Sequence, residues 1–400
     1  MKTGFEEELE ELKVRHLYRE IRPMDSTEGL RARWNGKEVL LFCGNDYLGL
    51  SRHPDVIQAA TETTQRYGVG SGAARLVSGN SDLHTRLEKE IARFKKKDRA
   101  LLYTTGYLAN LGVLTALAHP GDLIVLDKLS HASLIDGARL SGATVRVFPH
   151  KNYRRLEEIL ASSRETKKMI VSDTLFSMDG DIADIAELIR IKEKSGALLI
   201  LDDAHGLGVL GATGKGACED LGLEEKVDFL VGTLSKAAGC LGGFVAARGS
   251  LIEYLINFSR PFIFATSLPP LVCAAALAAL RVIEEDGGRR QKLWQNARLL
   301  HEGLPHCGFE SGPLVSPILP VVVGEEKKAI EISEYLLKEG FFVPAIRTPT
   351  VAKGKARLRF TVSADHDPAD IRRLVHTLEL IKKDFISDHL GHNNRKVGIR

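Results

Sequence analysis

The sequence predicts an α/β fold with a mainly parallel sheet that is covered by helices on both faces. From about residue 100 onward, short apolar runs alternate with segments of helical periodicity. Fully apolar strands separated by helices are typical of parallel sheets, because both faces of such sheets are buried. The predicted strands are 100–105, 123–127, 144–149, 169–173, 197–202, 229–233 and 243–248, and helices between them are predicted at 108–118, 133–141 and 184–195.

The segment ahead of these strands predicts an amphipathic helix. Phe5, Leu9, Leu12 and His16 recur at helical spacing within residues 5–19, which gives the helix one apolar face. The segment is acidic and lacks the apolar run of a signal peptide. We therefore expect a helix that packs its apolar face on a partner.

A smaller α+β domain is predicted after the sheet. The apolar helix near 270–285 is followed by EEDGGRR, which is typical of a hinge. Beyond it we predict a helix (289–303), a strand (ILPVVVG), a helix (327–339), the segments FFVPAI and ARLRFTV, and a helix (368–385). The predicted organisation is an N-terminal helix and arm at 1–45, a large domain at 46–285, a small domain at 286–386 and a disordered tail at 387–400.

The composition is typical of a globular protein, which we expect in the cytoplasm. The charge balance argues neither for nor against nucleic acid, and without a long basic run in the body of the chain we expect no nucleic-acid or membrane partner. The 400 residues are 44% hydrophobic and 27% charged, and the formal net charge is only +3. The apolar stretch LPPLVCAAALAALRVI contains two prolines and an arginine, so it predicts a buried helix instead of a membrane span. The pair His389 and His392 is too weak a signal to predict a metal site. The widely spaced cysteines are interpreted as reduced thiols; they are Cys43, Cys218, Cys240, Cys273 and Cys307.

Polar residues end four of the predicted strands. These ends are Asp127, Asp173 with its neighbour Ser172, Asp202, and Thr233. Ligands of parallel sheets bind beyond the carboxyl ends of the strands, so we expect these residues to line one site. Lys236 follows the last of these strand ends by three residues.

Lys236 is the candidate nucleophile of this site. It stands in GTLSKAAGCLGGF among small and apolar residues, with no acid inside the segment. A desolvated lysine has a lowered pKa, which makes its neutral amine available as a nucleophile or base. An isolated lysine would be better interpreted as a surface side chain at a helix start. The neighbouring strand ends favour the catalytic interpretation.

The segment LDDAHGLG supplies a carboxylate and an imidazole. Asp202 and His205 are three residues apart, so both side chains can point into one cleft. There the carboxylate could keep a pyridine nitrogen protonated, and the imidazole could bind a phenolate-like oxygen. Asp203 is expected to cap a following helix, since two adjacent acids cannot easily face the same place.

Two further segments indicate a phosphate and a flat ring. Gly106 and Tyr107 are predicted at a helix N-terminus, which favours a phosphate, and Thr233 and Ser235 could add hydroxyl donors. His131 follows a strand end, where it could stack on a flat ligand or simply begin a helix. Together with the lysine and the aspartate, these features predict pyridoxal 5′-phosphate (PLP) as the cofactor.

At this point the chain resembles the α-oxoamine synthases of PLP fold type I. The resemblance covers nearly the whole chain, in order. The matching segments are NDYLGLS (45–51), GSGAARLVSGN (70–80), HTRLEKEIA (84–92), GYLAN (106–110), DKLSHASL (127–134), SMDGD (177–181), LDDAHGLGVLG (201–211), GTLSKA (232–237), FATSLPP (264–270) and ARLRFT (356–361).

The resemblance implies a role for each candidate residue. Lys236 is the implied Schiff-base lysine, Asp202 the partner of the pyridinium nitrogen, and His205 the ligand of the ring hydroxyl. His131 would stack on the ring, and Ser177 would lie near it. The implied phosphate ligands are Gly106, Tyr107 and Thr233, joined by Thr266 and Ser267 from a second subunit of a homodimer. The implied substrate ligands are Asn45, Arg359, Arg19 and Thr350.

Within the family, the stretch 345–360 is most similar to the biotin-pathway branch. That branch condenses L-alanine with a pimeloyl thioester, of CoA or of acyl-carrier protein, and releases CO2 and the free thiol. Gly44, Ala73 and Ala74 differ from the residues that the family usually has near the expected acyl channel. These differences bear on the predicted acyl chain of the substrate more than on the predicted reaction.

Three alternatives remain open from the sequence. A glycine C-acetyltransferase would share the fold and the cofactor but use a shorter acyl chain. A nicotinamide-dependent dehydrogenase is disfavoured, because GVGSG lacks the G-x-G-x-x-G spacing and does not follow an apolar strand. A catalytically idle scaffold would be expected to lose the lysine or the aspartate, and neither is lost.

Overall fold

The chain divides into two compact units, and the computed structural model describes residues 4–310 and 312–381 of it. The large unit contains Asn45–Ser177 and Asp181–Arg290. The small unit contains Met1–Gly44, Met178–Gly180 and Gln291–Arg400. The tail predicted at 387–400, with its two histidines, lies outside the described residues.

The strands, numbered in chain order, are β1 (Ser26–Glu28), β2 (Arg31–Trp34), β3 (Lys37–Leu41), β4 (Arg99–Tyr103), β5 (Leu123–Asp127), β6 (Thr144–Phe148), β7 (Lys168–Asp173), β8 (Leu198–Asp202), β9 (Phe229–Thr233), β10 (Gly243–Ala247), β11 (Ile318–Gly324), β12 (Phe341–Phe342), β13 (Ala345–Ile346) and β14 (Ala356–Thr361). The helices are α1 (Gly4–Val14), α2 (Pro54–Tyr67), α3 (Asp82–Phe94), α4 (Gly106–Leu117), α5 (Ala132–Leu140), α6 (Tyr153–Ser162), α7 (Ile185–Ser195), α8 (Gly249–Phe258), α9 (Arg260–Ile263), α10 (Pro270–Glu285), α11 (Gly287–Gly303), α12 (Glu326–Lys338) and α13 (Pro368–Ile381).

The large unit is built on a seven-stranded sheet with the order β4-β10-β9-β8-β7-β5-β6. The pairs β5–β6, β5–β7, β7–β8 and β8–β9 are parallel, and β10 runs antiparallel to both β4 and β9. Every residue of β5, β9 and β10 is buried. The predicted mainly parallel sheet with continuously apolar strands is therefore confirmed, with one antiparallel strand inserted near an edge.

The apolar helix predicted near 270–285 is observed as α10. Cys273, Ala276 and Ala279 along it are fully buried, so its apolar residues contribute to the core. Among the described residues, no helix is both long enough and apolar enough to span a bilayer.

The N-terminal helix is shorter than predicted, because α1 ends at Val14 instead of continuing to residue 19. His16 adopts a left-handed conformation with φ 56°, and the amide of Leu17 donates to the carbonyl of Leu12 at 2.8 Å. This left-handed residue ends the helix, as is common at helix C-termini. No residue of α1 is buried, and Phe5 is 79% exposed. The packing of its apolar face on a partner stays a prediction.

The small unit contains two small sheets. One has the order β1-β2-β3-β12, and the other has the order β11-β14-β13. Strand β14, which carries Arg359, is buried along its whole length. At the end of β14, the amide of Thr361 donates to the carbonyl of Phe42 at 2.8 Å, which connects β14 to the segment after β3.

A buried ion pair holds the segment that follows β8 in the large unit. Lys95 Nζ lies 2.7 Å from Asp203 Oδ2, and the two side chains are only 1% and 2% exposed. The other oxygen of Asp203 accepts a hydrogen bond from the hydroxyl of Thr174 at 2.7 Å. The expectation that Asp203 caps a helix is wrong, because turns follow β8 and its carboxylate is bound to this lysine.

We predict that Lys95→Met lowers the free energy of unfolding by about 3–5 kcal/mol, because it leaves the Asp203 carboxylate buried without its cation. Lys226→Met is the control, since Lys226 and Glu193 form an ion pair with both side chains more than half exposed. The control should leave the free energy of unfolding nearly unchanged, because solvent screens an exposed ion pair. Denaturant titration of both variants measures the two values, and equal losses would contradict the prediction.

Candidate active site

Two acids lie side by side at the carboxyl edge of the large sheet. Asp173 ends β7, Asp202 ends β8, and these residues are direct neighbours in the register of the two parallel strands. Both are buried. All four predicted polar strand ends are observed, with Asp127 ending β5 and Thr233 ending β9.

Asp202 is held by two hydrogen bonds. One carboxylate oxygen accepts from Asn110 Nδ2 at 2.6 Å, and the other accepts from the backbone amide of Ala204 at 2.9 Å. Donors of this kind stabilise a carboxylate and fix its direction. Asn110 lies on α4 and also donates to the hydroxyl of Ser133 at 2.9 Å. Its position within the quoted motif GYLAN was the only sequence signal for this residue, and no role was assigned to it.

Asp173 differs from its neighbour in its electrostatic environment. Burial and the adjacent Asp202 together raise the pKa of Asp173 well above the usual range of an aspartate. A backbone hydrogen bond from His131, at 3.0 Å, and the charge of Lys236 act in the opposite direction. Raising the pKa of one carboxyl is the expected response when two acids share a buried site.

Lys236 lies in the loop after β9 and is half-buried. Its charge adds to the lowering of the pKa of His131 and partly opposes the rise in the pKa of Asp173. Desolvation is the largest cause of the lowered pKa of His131, and Asp202 partly opposes it. The structure therefore brings Lys236, Asp202, His131 and Asp173 into one electrostatic environment.

His131 is the N-cap residue of α5, and it is exposed to solvent on one side while neighbouring groups desolvate its ring on the other. Its Nδ1 lies 2.7 Å from the hydroxyl of Ser133, and the same nitrogen accepts from the backbone amide of Ser133 at 3.3 Å. These bonds fix the ring at the helix start. The two interpretations of this residue, a helix-start residue and a stacking residue, are therefore compatible.

The N-terminus of α4 provides backbone donors. Thr105 is its N-cap residue, and Gly106 begins the helix. Thr233 is buried, and its hydroxyl donates to the carbonyl of Gly242 at 2.7 Å, so the more accessible hydroxyl at this corner is that of the exposed Ser235. Tyr107 is exposed, and its hydroxyl donates to Asp136, which raises the pKa of the phenol.

His205 contacts a residue to which no role was assigned from the sequence. Its Nδ1 lies 2.8 Å from the hydroxyl of Tyr47, and both residues are buried. The same hydroxyl lies 3.3 Å from Oδ1 of Asn45, one of the predicted substrate ligands. The quoted motif NDYLGLS contains both Asn45 and Tyr47, but a contact across 158 residues has no local sequence signal.

The remaining predicted residues occupy three other places. Thr266 is exposed, whereas Ser267 is buried with its hydroxyl 2.8 Å from Nε2 of His84. Ser177 lies in a turn after β7 and is half-buried. The other predicted substrate ligands belong to the small unit. There Arg19 donates to the carbonyl of Thr348 at 3.3 Å, Thr350 is exposed, and Arg359 is buried on β14.

Within residues 4–310 and 312–381, the structure shows no group of three or more histidine, cysteine, aspartate or glutamate side chains that could hold a metal ion.

A second charged cluster lies beside the site, centred on His150. Its Nδ1 lies 2.9 Å from Asp127 Oδ1, and its Nε2 lies 2.9 Å from Asp181 Oδ2. Burial lowers the pKa of this imidazole, but the two carboxylates outweigh burial and raise it to about 9. At neutral pH His150 is therefore a cation with one hydrogen bond at each ring nitrogen. It connects the end of β5 to the segment before α7.

Comparison with known proteins places the chain among PLP enzymes. The family model for aminotransferase class I and II matches residues 37–378. The 8-amino-7-oxononanoate synthase of Geobacter sulfurreducens is 45% identical over 381 residues, which cover 94% of this chain and 97% of that protein. The synthase of the same name from Methylococcus capsulatus is 47% identical over 371 residues, covering 92% of this chain and 96% of that protein.

Two solved structures show the same fold. A serine palmitoyltransferase from S. paucimobilis with bound PLP and myriocin matches with a TM-score of 0.90 and 32% identity, covering 95% of this chain and 97% of that one. The 8-amino-7-oxononanoate synthase from Francisella tularensis matches with a TM-score of 0.75 and 30% identity, covering 86% and 98%. The predicted fold type and the resemblance to the α-oxoamine synthases are confirmed.

We predict that His150 stabilises the fold at neutral pH and loses this effect in alkali. Because its pKa in the folded chain is raised to about 9 from 6.5, the stabilisation is complete below pH 6.5 and is lost as the pH rises through 9. At pH 6 the free energy of unfolding of wild type should exceed that of His150→Gln by about 1–3 kcal/mol. Most of this difference should be lost by pH 10.

Denaturant titrations across this pH range measure the difference. His119→Gln is the control, since His119 is an exposed residue in the loop after α4. A wild-type advantage over His150→Gln that stayed constant from pH 6 to pH 10 would show that the imidazole is not the titrating group.

Proposed function

Because the chain belongs to the class I and II aminotransferase family, we propose that it joins L-alanine to a pimeloyl thioester to form 8-amino-7-oxononanoate, CO2 and a free thiol, the reaction of biotin biosynthesis. The observation that carries this proposal is the shared environment of Lys236, Asp202 and His131 at the carboxyl edge of the sheet. The sequence relatives with this activity in their name match nearly the whole chain.

The residues at this edge fit PLP. A buried carboxylate with two donors suits a protonated ring nitrogen, and an amine is present to react with an aldehyde. A Cβ added at Gly243 would lie only 2.4 Å from the carbonyl oxygen of Thr105 and 2.5 Å from the amide nitrogen of Gly106. The absence of a side chain at Gly243 thus leaves the N-terminus of α4 undisturbed, as a phosphate site requires. When bound, PLP supplies an electrophilic aldehyde and an electron-withdrawing ring.

Each residue of the large unit then has a defined task. Asp202, oriented by Asn110, would hold a proton on the ring nitrogen, and His131 would cover the ring. His205 would bind the ring oxygen, and the amides of Gly106 and Tyr107 would bind the phosphate, with the hydroxyls of Thr233 and Ser235 nearby. Ser177 stays a proposed neighbour of the ring, and Thr266 and Ser267 stay proposed phosphate ligands across a homodimer.

Lys236 is the proposed base. Its Nζ takes the Cα proton of alanine, which lets Cα form a bond to the thioester carbonyl carbon while the C–S bond breaks and the thiol leaves. Loss of the carboxyl group as CO2 and return of a proton to Cα complete the reaction. Asn45, Arg359, Arg19 and Thr350 stay the proposed ligands of the substrate, with Arg359 suited to a carboxylate. We also propose a cytoplasmic location.

We predict that Gly243→Ala raises the dissociation constant of PLP at least about tenfold, because the new methyl group must displace the backbone that begins α4. Gly249→Ala is the matched control, since a Cβ there would meet Arg99 Cδ at 3.6 Å and Asp98 Cβ at 4.0 Å, which are ordinary van der Waals distances. Titration of the cofactor-depleted proteins with PLP, followed by absorbance, measures both constants. Equal constants for the two variants would contradict the proposed phosphate site.

A substrate matrix tests the proposed reaction directly. The purified protein is incubated with PLP, with alanine, glycine or serine, and with acyl-CoA thioesters from acetyl to palmitoyl, and thiol release is measured. Alanine with pimeloyl-CoA should give the highest kcat/KM. Preference for glycine with acetyl-CoA would instead support a glycine C-acetyltransferase, and preference for serine with palmitoyl-CoA would support the activity of the structural relative. A pimeloyl-acyl-carrier protein is compared with pimeloyl-CoA to identify the natural carrier.

Lys236→Ala should lower the rate of thiol release at least about 10³-fold, since it removes both the amine and the base. Lys226→Met, at an exposed ion pair, is the control and should retain wild-type turnover. Persistent turnover of Lys236→Ala at a near wild-type rate would exclude the proposed role of this lysine.

A further inference from the structure

His84 is a buried histidine that the proposed mechanism has not used. It lies in the first turn of α3, where it forms a capping box with Ser81, and its side chain has no exposed surface. Its Nδ1 lies 2.8 Å from the hydroxyl of Ser81. Its Nε2 lies 2.8 Å from both the carbonyl oxygen of Leu268 and the hydroxyl of Ser267. One imidazole therefore connects the start of α3 to a proposed phosphate ligand.

The partners of His84 fix which of its nitrogens carries the proton. The backbone amide of Ser81, which can only donate, donates to Nδ1 at 3.1 Å. The carbonyl of Leu268 can only accept, so Nε2 carries the proton and donates to it. Burial and the nearby charge of Arg75, partly opposed by this carbonyl, lower the pKa of His84 to about 4. The ring is therefore neutral at physiological pH, with its proton on Nε2.

This tautomer determines how the hydroxyl of Ser267 is used. Because Nε2 holds a proton, the oxygen of Ser267 accepts at this contact, and the two oxygens share one N–H donor. The hydroxyl of Ser267 itself donates to the carbonyl of Leu268 at 3.4 Å, which is long for an O–H donor. A closer acceptor, such as a phosphate oxygen, would therefore take this hydrogen bond.

The backbone that carries Ser267 is held by further hydrogen bonds. Its amide donates to the carbonyl of Ala73 at 2.9 Å, and its carbonyl accepts from the hydroxyl of Ser71 at 2.7 Å. The neighbouring Thr266 is exposed, so this segment reaches the protein surface. With the backbone fixed in this way, the orientation of the Ser267 hydroxyl depends on the contact with His84.

We propose that His84 is a positioning residue that donates from Nε2 to the hydroxyl oxygen of Ser267 and so directs the hydroxyl proton to the phosphate of PLP. The inference rests on the proposed function, which gives Ser267 this phosphate across a homodimer. A histidine that served only to begin α3 would need its Nδ1 contact and not its Nε2 contact. The two ends of the ring can therefore be tested separately.

Two substitutions separate the two ends of the ring. His84→Asn keeps an acceptor near the position of Nδ1, for the amide of Ser81, but removes the donor at Nε2. His84→Gln is the matched variant, because its longer side chain can place an amide donor near the position of Nε2. Both are compared with wild type, with Ser267→Ala and with the double variant His84→Asn/Ser267→Ala.

The full-length proteins are depleted of cofactor and titrated with PLP and with pyridoxal, which has no phosphate. His84→Asn and Ser267→Ala should each raise the dissociation constant of PLP about tenfold, the scale of one lost hydrogen bond, and leave that of pyridoxal unchanged. His84→Gln should bind PLP more tightly than His84→Asn. The double variant should bind PLP as Ser267→Ala does, since His84 acts through that hydroxyl.

His53→Asn is the control for loss of a helix-capping imidazole. His53 is the N-cap residue of α2, and its Nδ1 accepts from the backbone amide of Asp55 at 3.3 Å. This variant should keep the wild-type dissociation constants for both PLP and pyridoxal.

Wild type labelled with ¹⁵N-histidine provides a readout of the tautomer, with the His84 signals assigned by their loss in His84→Gln. At pH 8 they should show a neutral ring with its proton on Nε2. A proton on Nδ1 overturns the proposal, whether or not the variants fold.

The titrations can overturn the proposal independently. Equal losses of PLP and pyridoxal affinity in His84→Asn would show a structural role alone. Wild-type PLP affinity in Ser267→Ala, or a double variant weaker than Ser267→Ala, would overturn it as well. None of these readouts needs alanine or a thioester. A protein that gives the expected constants but fails the substrate matrix would therefore reject the proposed reaction and retain the role of His84.

Discussion

The candidate site depends on the charge balance between two acids that neighbouring strands hold side by side. Asp173 and Asp202 are paired in the register of β7 and β8, and both are buried. Two adjacent ionised carboxylates would repel each other strongly in such a place. Two features reduce this repulsion. The pKa of Asp173 is raised, and Asp202 accepts hydrogen bonds from the side-chain amide of Asn110 and the backbone amide of Ala204. Two neighbouring strand ends therefore hold one carboxyl whose pKa is raised and one that accepts two hydrogen bonds.

Close backbone approach is the second constraint on this edge of the sheet. Glycines at 208, 239 and 243 each lie where an added Cβ would come within 2.8 Å of another segment. Loops from β8 and β9, the N-terminus of α4 and the segment 45–51 can therefore meet without intervening side chains. Close backbone packing restricts the motion of these loops. Their donors and acceptors are therefore held at fixed distances before a ligand binds.

Two clusters of charged groups next to these loops hold the surrounding backbone in place. The ion pair of Lys95 with Asp203 anchors the residue next to Asp202, and the imidazole of His150 connects Asp127 to Asp181. In both clusters the charges are hydrogen-bonded on several sides, which reduces the cost of burying them. The acids at the strand ends thus divide into one that faces the proposed chemistry and others that hold the surrounding backbone.

The order of elements and the polar strand ends were predictable from the sequence alone, because apolar periodicity and strand termini are local features. The roles of Lys236, Asp202, His131 and His205 stay predictions. The tertiary structure decided which partners these groups have. Asn110 meets Asp202 across 92 residues and Tyr47 meets His205 across 158, and no local pattern encodes such contacts. Only the structure showed that Asp203 binds Lys95 instead of capping a helix, that Thr233 turns its hydroxyl to Gly242, and that α1 ends at Val14. The physical reason is the same in each case: the partner that satisfies a buried polar group is the nearest donor or acceptor in space, and folding alone determines which residue that is.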